Sequence, residues 1–278
     1  MNNQPQRQDQ VNAYFDASAA YWNEIYESED VDATIYRERR SVVLALVQKL
    51  ALSTEWPILE IGCGAGLTSV ALARNGYTVE AVDSVDTMIK VTRQHAEEAG
   101  VGHRVITSIG DVHDLAFSDN TFSLVLEIGV VPWLHSLDKA AREVTRVLRP
   151  GGFLIVTADN WWRLDNWLDP RYFPPLRSTR KKIRSILERL GLLKPTKPIN
   201  YRHSIREFDA CVAAAGLEKV EGTTVGFGPF SFFGYKLLPN SCGVRMHHWL
   251  QSLAIRGVPL IRSAGIHYVV LARKVRTP

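Results

Sequence analysis

The spacing of hydrophobic and polar positions changes near residue 56. Before it the rhythm is helical. "VNAYFDASAAYWNEIYES" repeats its apolar residues with a helix-like period, and "TIYRERRSVVLALVQKLAL" predicts a second helix with a strong apolar face. The ten residues ahead of them, "MNNQPQRQDQ", are polar and predict a frayed tail. After residue 56 short apolar runs alternate with periodic segments. "WPILEI", "YTVEAVD", "RVITSIGD", a run within "TFSLVLEIGVVPWL", and "FLIVTAD" predict five strands. "GLTSVALARNG", "SVDTMIKVTRQHAEEAG" and "SLDKAAREVTRVLRPGG" predict the helices between them, the last closed by Pro150 and Gly151. "SIREFDACVAAAGLEKVEGTTVG" predicts a final helix and a sixth strand, and "IHYVVLARKV" a seventh, antiparallel one.

Alternating strands and helices with right-handed crossovers predict an α/β fold, a doubly wound and mostly parallel seven-stranded sheet. The chain divides into an N-terminal helical segment (1–55), a core (56–160) completed by 206–226 and 266–278, and two insertions, 161–205 and 227–265. In such sheets ligands lie across the carboxyl ends of the strands. That edge collects Gly62, Gly64, Gly66, Asp83, Asp111 and Glu127, and both insertions leave from it and predict a cap.

Composition narrows the ligand. No apolar run reaches the 18 residues a spanning helix needs, and the N-terminus lacks the apolar stretch of a secretory signal. Cys63, Cys211 and Cys242 are far apart, which predicts neither a disulfide framework nor a zinc site and fits a reducing cytoplasm. No His, Asp and Glu grouping has metal-ligand spacing, so no metal is expected. The glycines read GxGxG, with Leu67 where a dinucleotide fingerprint has its third glycine, and no phosphate-binding lysine follows.

"LEIGCGAG", "VEAVDSVDTMI", "GDVHDLAFSDNTFSLVLEIGVVPWL" and "EVTRVLRPGGFLIVT" come in the order and spacing of a known motif series. They resemble the class I S-adenosylmethionine-dependent methyltransferases over residues 56–157. The resemblance implies a Rossmann-like fold and S-adenosyl-L-methionine as cofactor. It implies that Gly62, Cys63, Gly64 and Gly66 form the loop under the cofactor's amino acid and that Glu60 holds its amino group. Asp83 would bind the ribose, Ser84 and Met88 would flank the adenine, and Asp111 with Val112 would read its edge. Glu127 falls where the backbone meets the methionine; an acid there is not demanded by the cofactor, so its carboxylate is expected toward the substrate. The dehydrogenase reading gives way to this one.

The reaction this implies is methyl transfer to a small, apolar acceptor, also admitting an anionic or lipid-like one, first at oxygen. Carbon or nitrogen on an aromatic or prenyl metabolite is the alternative, as is a non-catalytic cofactor-binding partner protein. A base is needed only for a neutral hydroxyl or a carbon acid. Catalytic candidates are His135, which follows the fourth strand, and Tyr14 and Tyr21, on a helix that in relatives folds over the cofactor. His203, His247 and His248 lie in or beside the insertions, while His95, His103 and His113 read as surface residues.

The insertions carry the acceptor clue. Residues 161–206 hold 12 Lys and Arg against three acids, and 227–265 hold four basic residues and no acid, both with many aromatics. Three readings fit: a solvated basic helix over an aromatic core, a pocket for an apolar anion, or peripheral contact with an anionic membrane surface. Nucleic acid is not expected, because no binding module is recognisable and the aromatics are not interleaved with the basic residues. Oligomeric state has no signature in the chain.

Overall fold

A computed structural model describes residues 4–169, 172–173, 179, 201–233 and 235–275. Helices α1 (Gln4–Ala17) and α2 (Ala19–Glu24) open the chain, and α3 (Val31–Leu50) follows. The core then alternates: β1 (Ile58–Ile61), α4 (Leu67–Arg74), β2 (Val79–Asp83), α5 (Asp86–Glu98), β3 (Val105–Ile109), β4 (Phe122–Glu127), α6 (Leu137–Val147), β5 (Leu148–Asp159). After the short α7 (Leu164–Leu168) come α8 (Ile205–Ala214), β6 (Leu217–Val225), the hairpin β7 (Ser231–Phe232) and β8 (Tyr235–Lys236), α9 (Asn240–Ile255) and β9 (His267–Lys274).

Seven strands form one sheet in the order β3-β2-β1-β4-β5-β9-β6, with β9 antiparallel to both its neighbours and the other ladders parallel. Strand side chains alternate between faces, and the two faces carry two cores. Leu59, Val125, Val156 and Val270 meet Val144 of α6 and Phe208 of α8 on one face. Leu124, Ile155, Val269 and Leu271 meet Val43 and Val47 of α3 on the other.

Three local expectations need correction. The polar N-terminus is helical from Gln4, because Gln8 and Asn12 hydrogen-bond to Ser84 and each other across the sheet edge. The first predicted helix is two, parted at Ser18, whose hydroxyl turns back onto the Tyr14 carbonyl. The sixth helix stops at Val147 and "LRPGG" already belongs to β5. Its Leu148 pairs with Phe122 before the register shifts, and Gly152 lies where a Cβ would meet the carbonyl oxygens of Arg149 and Phe122 at 2.9 and 3.1 Å. Most of the first insertion, including the basic run from Arg180 to Arg184, lies outside the described residues.

Candidate active site

The turn after β1 is left-handed at all three glycines, with φ of +67° at Gly62, +55° at Gly64 and +74° at Gly66, a region other residues rarely adopt. What approaches the backbone differs at each. A Cβ on Gly62 would lie 2.3 Å from Val130 Cγ2, and one on Gly66 2.6 Å from Thr92 Cγ2. A Cβ on Gly64 would meet no atom within 4 Å, and this residue lines the open cavity. Cys63 also lines it, its thiol 3.5 Å from the Thr92 hydroxyl and pushed well above the usual thiol pKa by burial, which keeps it unreactive.

The cavity is about 370 Å³ and runs along the carboxyl edge of the sheet. At one end Asp83 closes β2. Its Oδ2 accepts from the Gly64 N–H and its Oδ1 from the Val85 N–H, both at 3.0 Å, so one carboxylate fixes the glycine turn and the start of α5. Burial raises its pKa. Met88 is buried with Phe15 and Trp22 under α1, and both Ser84 and Met88 line the wall. Asp111 and Val112 complete this end. Asp111 Oδ1 accepts from the His113 backbone N–H at 2.9 Å and its Nδ1 at 2.6 Å, and the ring's hydrogen bond holds the carboxyl below its ordinary pKa. His113, expected at the surface, is 2 % exposed: its ring packs on His135 with centroids 3.5 Å apart.

Two carboxylates are buried away from solvent in contrasting ways. Glu60 lines the cavity and accepts from the Ser69 hydroxyl; burial pushes its pKa up to about 7 against that bond and the nearby Arg40. Glu127 has the same raised value, about 7, from burial alone, and its Oε1 has no hydrogen-bond partner. Sharing the face of Val125, Glu127 does not line the cavity, which corrects the expectation that it faces substrate.

The other end of the cavity is built from remote pieces of chain. Asp32, Ile35, Tyr36 and Arg39 come from α3, Asp159 from β5, Arg163 from the entry to α7, and Arg202, Pro229, Ile266 and His267 from the second half. Arg39 is 6 % exposed and makes no hydrogen bond or ion pair among the described residues. Its guanidinium lies 4.9 Å over the Tyr36 ring, and its Nε is buried without a partner. Arg163 pairs with Asp165, and Arg202 donates to Asn166 Oδ1 at 2.9 Å. Burial and the neighbouring Arg163 lower the pKa of Arg202. Beyond Arg39, an end lined by the Arg163 and Arg202 guanidiniums and the rings of Trp22, Tyr26 and Tyr36 is suited to an apolar molecule with an anionic group.

The three catalytic candidates do not line the cavity. His135 packs on His113 behind Asp111, Tyr14 stacks on Trp133 at 5.6 Å and braces that wall residue, and Tyr21 is 50 % exposed. Gly66 is likewise set back, its role being to let Thr92 close on the turn. His203 lies outside the wall, and His247 is buried 2.6 Å from Glu38. With His248 these two form a cluster whose ligand atoms lie within 4.8 Å, a grouping the sequence spacing did not reveal because α3 and α9 supply it jointly. Sequence reasoning missed Arg39, Asp159, Arg163, Arg202 and His267. One signal was available for two of them. A polar residue ending one strand, as in "FLIVTAD", and one beginning its antiparallel neighbour, as in "IHYVV", must meet at the same sheet edge.

Residues 59–156 match the family described as "Methyltransferase domain". The ubiquinone biosynthesis O-methyltransferase of Rhizobium etli (strain CIAT 652) is 29% identical over 180 residues, covering 63% of this chain and 64% of that protein; the chain thus spans somewhat under two thirds of that relative's length. Among solved structures, the geranyl diphosphate C-methyltransferase of Streptomyces coelicolor A3(2) superposes with a TM-score of 0.53 at 16% identity, over 80% of this chain and 72% of that one. A SAM-dependent methyltransferase from Aquifex aeolicus does so at 0.52 and 15% identity, over 83% and 88%. The seven-stranded sheet with its antiparallel strand, the matched residues and the motif order agree: residues 59–156 form a methyltransferase domain, carried on the Rossmann-like fold of the class I S-adenosylmethionine-dependent methyltransferases.

Proposed function

We propose that the protein transfers the methyl group of S-adenosylmethionine to a hydroxyl oxygen of a small, largely apolar acceptor that carries a negative charge. The observation that carries this reading is one continuous cavity with two chemically distinct ends. The glycine turn, Asp83, Met88 and Asp111 fit a nucleoside with an amino acid tail. Asp83 keeps lone pairs for a ribose diol beyond the two it spends on backbone, and Gly64 leaves open space where a Cβ would project. Arg39 supplies the fit at the tail: a buried guanidinium with an orphaned Nε, close to the Gly129 backbone, matches a carboxylate. When bound, the cofactor supplies an electrophilic methyl carbon, so the chain's part is alignment, which contributes about 7–11 kcal/mol in favourable cases. Oxygen is favoured by the O-methyltransferase named among the relatives, and the anionic acceptor by Arg163 and Arg202 beside an aromatic wall.

Calorimetric titration with S-adenosylhomocysteine tests the cofactor end. Micromolar binding by the wild type and a more than tenfold loss in Asp83→Ala are expected, since a buried diol loses its acceptor. No binding by the wild type would sink the proposal.

A second part of the reading concerns the cap. No helix among the described residues is long and apolar enough to cross a membrane. The outer surface of 227–265 nevertheless exposes Phe233, Tyr235, Trp249, Ile255 and Leu260 by 54 to 88 %, with four basic residues and no acid in the segment. That combination fits an anionic bilayer surface, where the rings enter the headgroup layer and cations meet lipid phosphate. Co-sedimentation should favour phosphatidylglycerol vesicles over phosphatidylcholine and fall at least fivefold in a Tyr235→Ser, Leu260→Ser double variant. Equal or absent binding to both vesicles would return the surface to ordinary solvent or to a protein partner.

A further inference from the structure

The acceptor end of the cavity holds a polar pair that no motif marks. Asp159 is the last residue of β5 and His267 the first of β9, and the antiparallel register sets them directly opposite each other. His267 Nδ1 lies 3.2 Å from Asp159 Oδ1. Both residues line the cavity and both are at least nine-tenths buried, at 6 and 9 % exposure. A carboxylate only accepts, so Nδ1 carries the ring proton and the neutral ring keeps its lone pair at Nε2.

Strand alternation places the pair on the face of the sheet that meets α3. Thr157, two residues before Asp159 on the same face, accepts the Gly129 N–H at 2.8 Å, which ties the pair to the loop after β4 where the cofactor's amino acid is expected. Among the described residues, the charged and titratable neighbours are Tyr36 and Arg39 from α3, Asp159 from β5, Arg163 ahead of α7, and Arg202 ahead of α8. β6 offers His267 only Val225. Burial first, then the Arg39 charge, hold the ring below the usual imidazole pKa against the opposing pull of Asp159, so at neutral pH it is free to accept a proton.

Resting on the methyltransferase reading above, we propose that His267 is the general base that removes the acceptor's hydroxyl proton, and that Asp159 is the positioning residue that fixes its tautomer. As the acceptor oxygen forms its bond to the methyl carbon, the O–H bond breaks and the proton passes to Nε2. The electron pair of the carbon–sulfur bond stays with sulfur. The positive charge that entered on the sulfonium ends on an imidazolium, which Asp159 stabilises, and solvent takes that proton when products leave. The arrangement follows the acid–base logic of a histidine held by a carboxylate.

The test reads the protein directly before it reads turnover. Wild type labelled with nitrogen-15 in its histidine rings is compared with His267→Gln to assign the ring, with and without S-adenosylhomocysteine. The expected result is a neutral ring at pH 7 with its proton on Nδ1, titrating below ~6.5, and an increased share of the Nε2-protonated form in Asp159→Asn. With protocatechuate, a phenol bearing a carboxylate, as the probe acceptor, His267→Gln should lower kcat about 100-fold or more. Its S-adenosylhomocysteine affinity should stay within twofold, and the acid limb of the pH profile should vanish. A ring protonated on Nε2 or cationic at pH 7, or a His267→Gln variant keeping more than a third of kcat, would overturn the assignment. Failure of the wild type to bind S-adenosylhomocysteine would instead overturn the methyltransferase reading, and the ring's tautomer would still be readable in the free protein.

Discussion

The two ends of the cavity are made in opposite ways. The cofactor end comes from one stretch of chain, from Glu60 to Leu134, under a lid from α1, and its polar groups are mostly committed to holding backbone in place. The acceptor end draws on residues from Trp22 to His267, and Arg39, a guanidinium without a hydrogen bond or ion pair among the described residues, stands between it and the cofactor's tail. A contiguous site gets its precision from local turns. A dispersed one depends on the register of strands and on a helix packed across them, so its residues can change singly without unmaking the sheet.

The glycine turn is where that difference breaks most visibly. Gly62→Ala has two faults: a left-handed φ costing roughly 1–2 kcal/mol and a Cβ driven into the Val130 side chain 2.3 Å away. Valine is stiff at χ1, so overpacking adds about 1–3 kcal/mol. Gly64→Ala has only the first fault, because its Cβ meets open space. Urea unfolding should show Gly62→Ala less stable by about 2–5 kcal/mol and Gly64→Ala by about 1–2 kcal/mol, with Gly64→Ala losing S-adenosylhomocysteine affinity while still folded. Equal destabilisation of the two would show that local strain, not the approach of Val130, governs the turn.

The same contrast explains what could be read from the chain. Gly62, Asp83 and Asp111 were legible because each follows its own strand within a few residues, so a strand-helix alternation alone places them on one edge. Arg39 was not, because "RERR" on a helix reads as a solvated face, and only the packing of α3 over β9 turns Arg39 inward. Asp159 and His267 are 108 positions apart, and nothing short of the β5–β9 register joins them. His135 is near β4 in sequence, but the turn at Val131–Trp133 gives the wall to Pro132 and Trp133 and sends His135 behind it. Charge counting singled out 161–206 as basic, and Arg163 and Arg202 of that segment line the cavity, while its run from Arg180 to Arg184 lies outside the described residues.

Glu127 and Glu60 extend the comparison to titration. Both are raised to about 7, but Glu60 has the Ser69 hydroxyl and Glu127 has no partner at Oε1. A raised carboxyl binds its proton in the folded chain where the unfolded chain has already released it. Its contribution is therefore complete below the unfolded value of about 4.5 and is lost as pH rises through about 7. Glu127→Gln keeps the neutral form at every pH. It should match wild type near pH 4 and exceed it above pH 8 by up to roughly 3 kcal/mol. Unfolding free energies at the two pH values check this. A pH-independent difference would mean that Glu127 is ionised in the fold and paired in a way its geometry does not show.

The smallest expected effect separates two adjacent histidines. His113 fixes one oxygen of Asp111 through both its backbone N–H and its ring, and leaves the other oxygen for the adenine amino group in the proposed cofactor complex. His135 stands one ring further out, stacked on the His113 ring. Replacing His113 with Gln removes the ring's share of the hydrogen bonding, about 0.5–1.5 kcal/mol, so S-adenosylhomocysteine affinity should fall about three- to tenfold. His135→Gln should change it less than twofold. Calorimetry on both variants, each first shown to melt near the wild-type temperature, decides the matter. If His135→Gln proves the more damaging, Asp111 is oriented by the packing of that layer and not by its hydrogen bond to His113. The cofactor end would then share the dispersed construction of the acceptor end.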